Sequence, residues 1–258
     1  SRNIKTLPYH ENLKSFGACF GVSAGYERPM WFALDGEKSE YEYSYNYQNW
    51  YPSAEYETNN TIKNVGLFDL TPFSKFEIKS DKVHQELQRI CTANIKNEVG
   101  KCTYTHMLNS DGGIETDLTI VCIDQNHYRI ISSAATRERD KFHINKHLSE
   151  EVKLKDITDD YCVFGLFGPK SRDLIQSISQ DKFDNDSFRF GTAKYISIHE
   201  VKIWAQRLSY VGELGYELYV KFDDAKKIYE LLIEKGKDFN LSNCGMHAMD
   251  IMRMESGF

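Results

Sequence analysis

The sequence contains no C-x-x-C pair, no H-E-x-x-H, no phosphate-cradling P-loop and no apolar run close to the ~20 residues that cross a bilayer as a helix. Each absence removes a class of protein. Zinc frameworks, metallopeptidases, P-loop nucleotidases and helical membrane proteins are disfavoured, and the start of the chain lacks the apolar stretch of a signal peptide. Six cysteines are present but scattered, at Cys19, Cys91, Cys102, Cys122, Cys162 and Cys244. A secreted disulfide scaffold is shorter and denser in cysteine, so reduced thiols buried as small hydrophobes are expected. Proline is scarce, at five residues, which argues against extended disorder. The net charge of −6 offers no basic stripe for a phosphate backbone, so nucleic acid is not an expected partner. His84, His106, His127, His199 and His247 show no metal-ligand spacing and are assigned no catalysis. A soluble chain is expected, cytoplasmic in a bacterium or in the mitochondrial matrix of a eukaryote.

What is present suffices for a sizeable core: 258 residues, 41% hydrophobic and 27% charged, in one large or two intimate domains. Residues 1–60 are crowded with aromatics and glycine yet show little periodicity, and read as an irregular arm whose rings pack on a neighbouring surface. Gly17, Gly21 and Gly25 lack the spacing of a dinucleotide fingerprint and read as loop. From Thr61 onward the chain is regular. FSKFEIK (73–79) alternates with period two, and Ser80 or Asp81 is placed to cap a helix with Val83, Leu87 and Ile90 on one face. TYTHML, DLTIVCI and YRIISSA, separated by NSDGG and DQNH, predict an antiparallel meander, and a helix follows near 138–149. A second block then repeats the plan: the buried strand YCVFGLFG, a helix with Pro169 in its first turn, strands AKYISI, VKIWAQRLSYV and YELYVKF, and a helix capped by Asp223 or Asp224 that ends near Gly236. The fold class is therefore α+β, two lobes of antiparallel sheet with flanking helices over 61–258, divided at about 155 and 156.

Two stretches concentrate carboxylates beside glycines. In MLNSDGGIETDLTIV (107–121) the Asp-Gly-Gly turn supplies the positive φ angles of a tight reversal. Glu115 and Asp117 then share a strand face opposite Leu118, Ile120 and Cys122, which carries Asp117 to the rim of a cavity or leaves both acids simply solvated. In SYVGELGYELYV (209–220), Tyr210, Glu213, Tyr216 and Glu217 surround two glycines, and Glu217 opens an apolar strand. A carboxylate there suits a flat heterocycle with adjacent N–H donors, such as the 2-amino and N3–H edge of a pterin; a hairpin with surface glutamates fits equally. Arg253 in the closing helix reads either as an ion-pair partner of Asp250 or as a clamp for a carboxylated ligand tail.

In this order GYERPMWF with Asn49-Trp50, VGLFDLTPFSKFEI, YTHMLNSDGGIETDLTIV, FGLFGPKSRDLI, LSYVGELGYELYV and GMHAMDIMRMESGF resemble the folate-binding region of the glycine-cleavage T-protein (aminomethyltransferase) superfamily. The likeness is greatest to the module that follows the flavin domain in sarcosine and dimethylglycine dehydrogenases. The resemblance implies a transferase in which tetrahydrofolate captures an aminomethyl or iminium unit from an N-methyl amine or glycine-derived donor and becomes 5,10-methylenetetrahydrofolate. It implies that Asp117, closing G-G-I-x-x-D, is catalytic beside the folate N10, and that Glu217, closing Y-x-G-E-x-G-x-E, pairs with the pterin. Tyr210 and Tyr104 would line the pocket, and Arg253 matches the arginine of R-x-E-x-G. FAD is implied only on a separate domain, and a flavin domain or lipoyl carrier protein is the implied partner. The family continues past R-x-E-x-G into a barrel domain, expected to be missing here because the chain stops at Phe258. Methyl transfer from a sulfonium donor and non-catalytic folate binding during assembly are the competing functions.

Overall fold

Where apolar and polar residues alternate, the chain forms strands; where they recur every three or four, it forms short helices, in a computed structural model that describes residues 2–258. The first elements are α1 (His10–Ser15), β1 (Ala18–Ser23), β2 (Tyr26–Phe32), α2 (Tyr51–Lys63), β3 (Val65–Asp69) and β4 (Ser74–Lys79). They are followed by α3 (Val83–Ile90), β5 (Cys102–Leu108), β6 (Ile114–Asp124), β7 (His127–Ser132), α4 (Arg137–His147) and β8 (Leu154–Asp156). The remainder is β9 (Tyr161–Phe167), α5 (Ser171–Ile178), β10 (Ala193–Ile198), β11 (Val201–Gln206), β12 (Gly215–Lys221), α6 (Ala225–Gly236), β13 (Leu241–Cys244) and α7 (Met246–Glu255). Contacts divide the chain into two compact units. The larger comprises residues up to Thr71, Tyr161–Phe190 and Tyr195–Phe258, the smaller Pro72–Asp160 and Gly191–Lys194.

The larger unit holds a sheet in the order β10-β11-β12-β9-β3-β13. Its central strand β9 (YCVFGLF) is almost wholly apolar because both faces are buried. It pairs antiparallel with β12 and with β3, whereas the edge strand β13 runs parallel to β3. One face presents Phe164, Leu166, Tyr216, Leu218 and Val220 to a core that includes Leu174 and Ile175 of α5 and Ile228 and Leu232 of α6. Fully burying such a side chain is worth roughly 1.5–3 kcal/mol.

Residues 1–60 are not the irregular arm expected. The described part forms α1, the β1–β2 hairpin and most of α2, leaving 2–9 and 33–50 as the longer stretches without helix or strand. The reason is compositional: α2 buries Ser53, Ala54, Glu57, Thr58 and Thr61, a mainly polar face that gives no hydrophobic period. Gly17 and Gly25, at φ of +79° and +86°, lie in the turns on either side of β1, as a loop reading expects, whereas Gly21 falls within the strand. The string Gly21-Val22-Ser23-Ala24-Gly25 has the G-x-S-x-G spacing of a nucleophile elbow, but Ser23 ends β1 at a strand-to-strand turn and pairs with Tyr26. A nucleophile elbow joins strand to helix.

The smaller unit is a sheet in the order β5-β6-β7-β4-β8, whose β5–β6, β6–β7, β4–β7 and β4–β8 pairs are antiparallel. Phe76, Ile78, Leu118, Ile120 and Ile130 close a core with Val83 and Leu87 of α3 and Ile144 of α4. Three helix starts differ from expectation. Lys82 precedes α3 with no side-chain cap, although the Ser80 hydroxyl accepts the Lys82 N–H at 3.1 Å. Pro169 lies before α5, and Asp224 stands at the start of α6 without a side-chain capping bond, behind a 3-10 turn. Among the described residues no helix is long and apolar enough to cross a membrane.

Candidate functional site

In the smaller unit the β5–β6 hairpin positions Asp117. Its turn is held by Asn109, whose Oδ1 accepts the N–H groups of Asp111 at 3.0 Å and Gly113 at 2.9 Å, while Gly112 takes φ +80°. The pleat then buries Thr116, Leu118, Ile120 and Cys122 and leaves Asp117 exposed. Glu115 is half-buried, with its Oε1 3.7 Å from Arg139 Nε of α4. Asp117 lies opposite His106 on β5, and Tyr104, two residues back, reaches it diagonally: the phenol donates to Asp117 Oδ2 at 3.1 Å. Tyr104 and Asp117 are thus brought together, both open to solvent, with Tyr104 61% exposed.

In the larger unit Glu217 sits on the sheet face opposite Tyr216 and Leu218 and is only 8% exposed. It faces Gln206 across the β11–β12 pair. Oε2 accepts from Gln206 Nε2 at 3.2 Å and from the Tyr219 hydroxyl at 3.0 Å. Gln206 is itself oriented, because its Oε1 accepts from Trp204 Nε1 at 3.3 Å. Burial pushes the Glu217 carboxyl up, and the two donors oppose it only in part. Oε1 takes no hydrogen bond from any described residue. Gln206, Tyr219 and Trp204 did not stand out in sequence; their period-two placement on β11 and β12, in step with Glu217, was the available signal.

Tyr210 and Arg253, in the larger unit, make contacts of their own near the end of α7. Tyr210 packs its ring 5.7 Å from Phe258, and Arg253 Nε donates to Asp250 Oδ1 at 2.9 Å, so the intra-helix pair is formed. That bond and the nearby Tyr210 hold the guanidinium's pKa above its ordinary value. The loop between β11 and β12 is tied to the end of α7 by Ser256 Oγ, which donates to the Val211 carbonyl at 3.2 Å. Gly212, at φ +78°, permits that approach: a Cβ there would come within 2.2 Å of Ser256 Oγ. The start of α7 gathers the aromatics of 31–50. The Trp50 ring stacks 3.8 Å from His247, and Tyr41 bonds His247 Nε2 at 2.8 Å. These rings therefore pack on their own unit, although Tyr43, stacked on Tyr41, is largely exposed and Tyr45 fully so.

Residues 9–258 match the family model described as GCVT N-terminal domain. The chain is 34% identical over 258 residues to 4-methylaminobutanoate oxidase (formaldehyde-forming) of Paenarthrobacter nicotinovorans, covering all of this chain and 31% of that protein. It is 31% identical over 241 residues to the mitochondrial dimethylglycine dehydrogenase of Rattus norvegicus, covering 92% of this chain and 28% of the relative. The chain thus spans about a third of the length of these relatives. The crystal structure of the glycine cleavage system aminomethyltransferase T from Bartonella henselae superposes with a TM-score of 0.80 at 21% identity, over 99% of this chain and 63% of that one, and shows the shared α+β fold.

Proposed function

The chain belongs to the GCVT N-terminal domain family, and from that membership we propose that it is a folate-dependent one-carbon transferase module, moving an aminomethyl or iminium unit from an N-methylated amine or a glycine-derived donor to tetrahydrofolate. The observation that carries the reading is Glu217: a buried carboxylate with Oε2 anchored by Gln206 and Tyr219 and Oε1 uncommitted. An acceptor-only group held in one orientation matches a heterocycle edge with adjacent N–H donors, as a reduced pterin presents. Those donors would stabilise the anion that burial disfavours. The residues present therefore fit the group.

Once bound, tetrahydrofolate supplies the nitrogen that takes up the one-carbon unit, giving 5,10-methylenetetrahydrofolate. Glu217 holds the pterin edge, with Tyr210 lining the pocket, and Arg253 clamps a carboxylated tail in place of Asp250. Asp117 acts at the reacting nitrogen, where a carboxylate accepts the proton or offsets developing positive charge. Tyr104 fixes Oδ2 of Asp117 and leaves Oδ1 for that task. The named relatives act on 4-methylaminobutanoate and dimethylglycine, which supports an N-methylated amino acid as the source of the unit. A flavin domain holding FAD, or a lipoyl carrier protein, would deliver it.

The test is a calorimetric titration with tetrahydrofolate, with tryptophan fluorescence in parallel, followed by product analysis with candidate amines. Glu217→Gln is expected to lose about tenfold or more in affinity, the worth of a charge-assisted pair. Asp117→Asn is expected to keep the affinity and lose turnover. Wild-type protein that shows no saturable binding, or a Glu217→Gln variant that binds as well as wild type, would sink the assignment.

A further inference from the structure

His143 and His147 stand one turn apart on α4, their ring centroids 4.4 Å apart and the planes tilted by 48°. Both line a cleft of about 250 Å³ whose other walls include Ile90, Cys91 and Leu108. His147 Nδ1 lies 2.8 Å from the His143 carbonyl, which can only accept, so the proton is on Nδ1 and the Nε2 lone pair is free. An imidazole whose far nitrogen donates to a backbone carbonyl is oriented as metal-ligating histidines usually are. Arg89, which also lines the cleft, is paired with Glu86 at 2.7 Å and bonds the His147 carbonyl, so its charge is largely compensated.

We propose that this cleft is a divalent transition-metal site with His143 and His147 as its two protein ligands. Two imidazoles at i and i+4 form a chelate suited to Zn²⁺, Ni²⁺, Cu²⁺ or Co²⁺, whereas Mg²⁺ and Ca²⁺ require oxygen donors. Among the described residues no set of three histidine, cysteine or carboxylate side chains is placed to hold an ion. The remaining coordination positions therefore face the cleft and fall to water or a small incoming ligand, giving an open site instead of a closed structural one. The site shares no residue with Asp117 or Glu217, and it stands or falls independently of the folate reading.

Titration of the full chain with ZnCl₂ in chelator-free buffer tests it, with the ring C–H signals of His143 and His147 followed by NMR in wild-type protein. One equivalent is expected to bind and to move both sets of signals. His143→Ala and His147→Ala should each weaken binding by more than the ~10- to 100-fold that loss of an outer-shell partner costs. Cys91→Ser should bind as wild type, and Co²⁺ should give a spectrum without a thiolate charge-transfer band. Wild-type protein that binds no zinc, unmoved ring signals, alanine variants that retain wild-type affinity, or a thiolate band that disappears in Cys91→Ser would overturn the proposal.

Discussion

Glu57 has almost no water to solvate it, being 1% exposed, and its charge is met only by backbone: Oε1 accepts the Phe32 N–H and Oε2 the Gly245 N–H, each at 2.7 Å. Burial pushes its carboxyl up to about 8 despite those two bonds. The folded chain therefore holds this proton more tightly than the unfolded chain, whose ordinary value is 4.5. Glu57 contributes stability that is fully present below about 4.5 and is lost as pH rises through about 8. Thermal denaturation across that window should show the melting temperature of wild type falling toward alkaline pH and Glu57→Gln falling less; equal slopes would refute the assignment. Glu77 in the smaller unit behaves oppositely. Burial raises it, but His127, with Nε2 3.2 Å from Oε1, and the hydrogen bond from Arg129 prevail and bring it down to about 2, so its contribution is lost as pH falls from 4.5 through that value. At this scale the sequence is uneven as a guide. Asp117 and Glu217 are conspicuous as charges at the ends of apolar strands beside glycines, whereas the buried Glu57 sits in a polar helix that looks solvated until its surroundings are known.

Elements carry the site by their register. The β5–β6 turn fixes which face of β6 Asp117 occupies, since a one-residue slip would bury it in place of Leu118. Asn109 supplies both side-chain bonds of that turn, and because they are exposed each belongs near the low end of ~0.5–1.5 kcal/mol. Asn109→Ala should lower stability by about 1 kcal/mol in urea denaturation and speed amide exchange at Leu108 and Ile114 before the rest of β6. Uniform exchange along both strands would show that the turn does not set the register. The meander, β9 and the amphipathic α3 and α5 are legible as local patterns because each presents an apolar face of regular period to a core. The parallel pairing of β13 with β3 is not, since those strands are joined only through long excursions of the chain. The H-x-x-x-H spacing of 143–147 is written in the sequence, but only packing shows that both rings border one cleft.

For the whole molecule the scattered thiols become reporters. Burial raises Cys19 to about 11 and Cys91 and Cys244 to about 12, so little thiolate forms in the native state. Cys91 belongs to the smaller unit and Cys244 to the larger. Labelling with a thiol reagent during denaturant titration should leave both silent in native buffer and release each at the transition of its own unit. Rapid native labelling of Cys244 would contradict its burial, and rapid labelling of Cys91 its raised thiol pKa. The order of the family's residue patterns, the α+β class, most strands of the two sheets and the two conspicuous carboxylates were determined by the sequence itself, because hydrophobic period and turn chemistry are local properties of a chain. Only the tertiary structure decided that the smaller unit takes up both 72–160 and 191–194, and that Glu57 ties α2 to the start of α7. It also decided that Gln206 and Tyr219 hold one oxygen of Glu217 and leave the other open. Those outcomes depend on which remote segments share a buried face, and burial is a property of the assembled sheet that no short stretch of sequence reports.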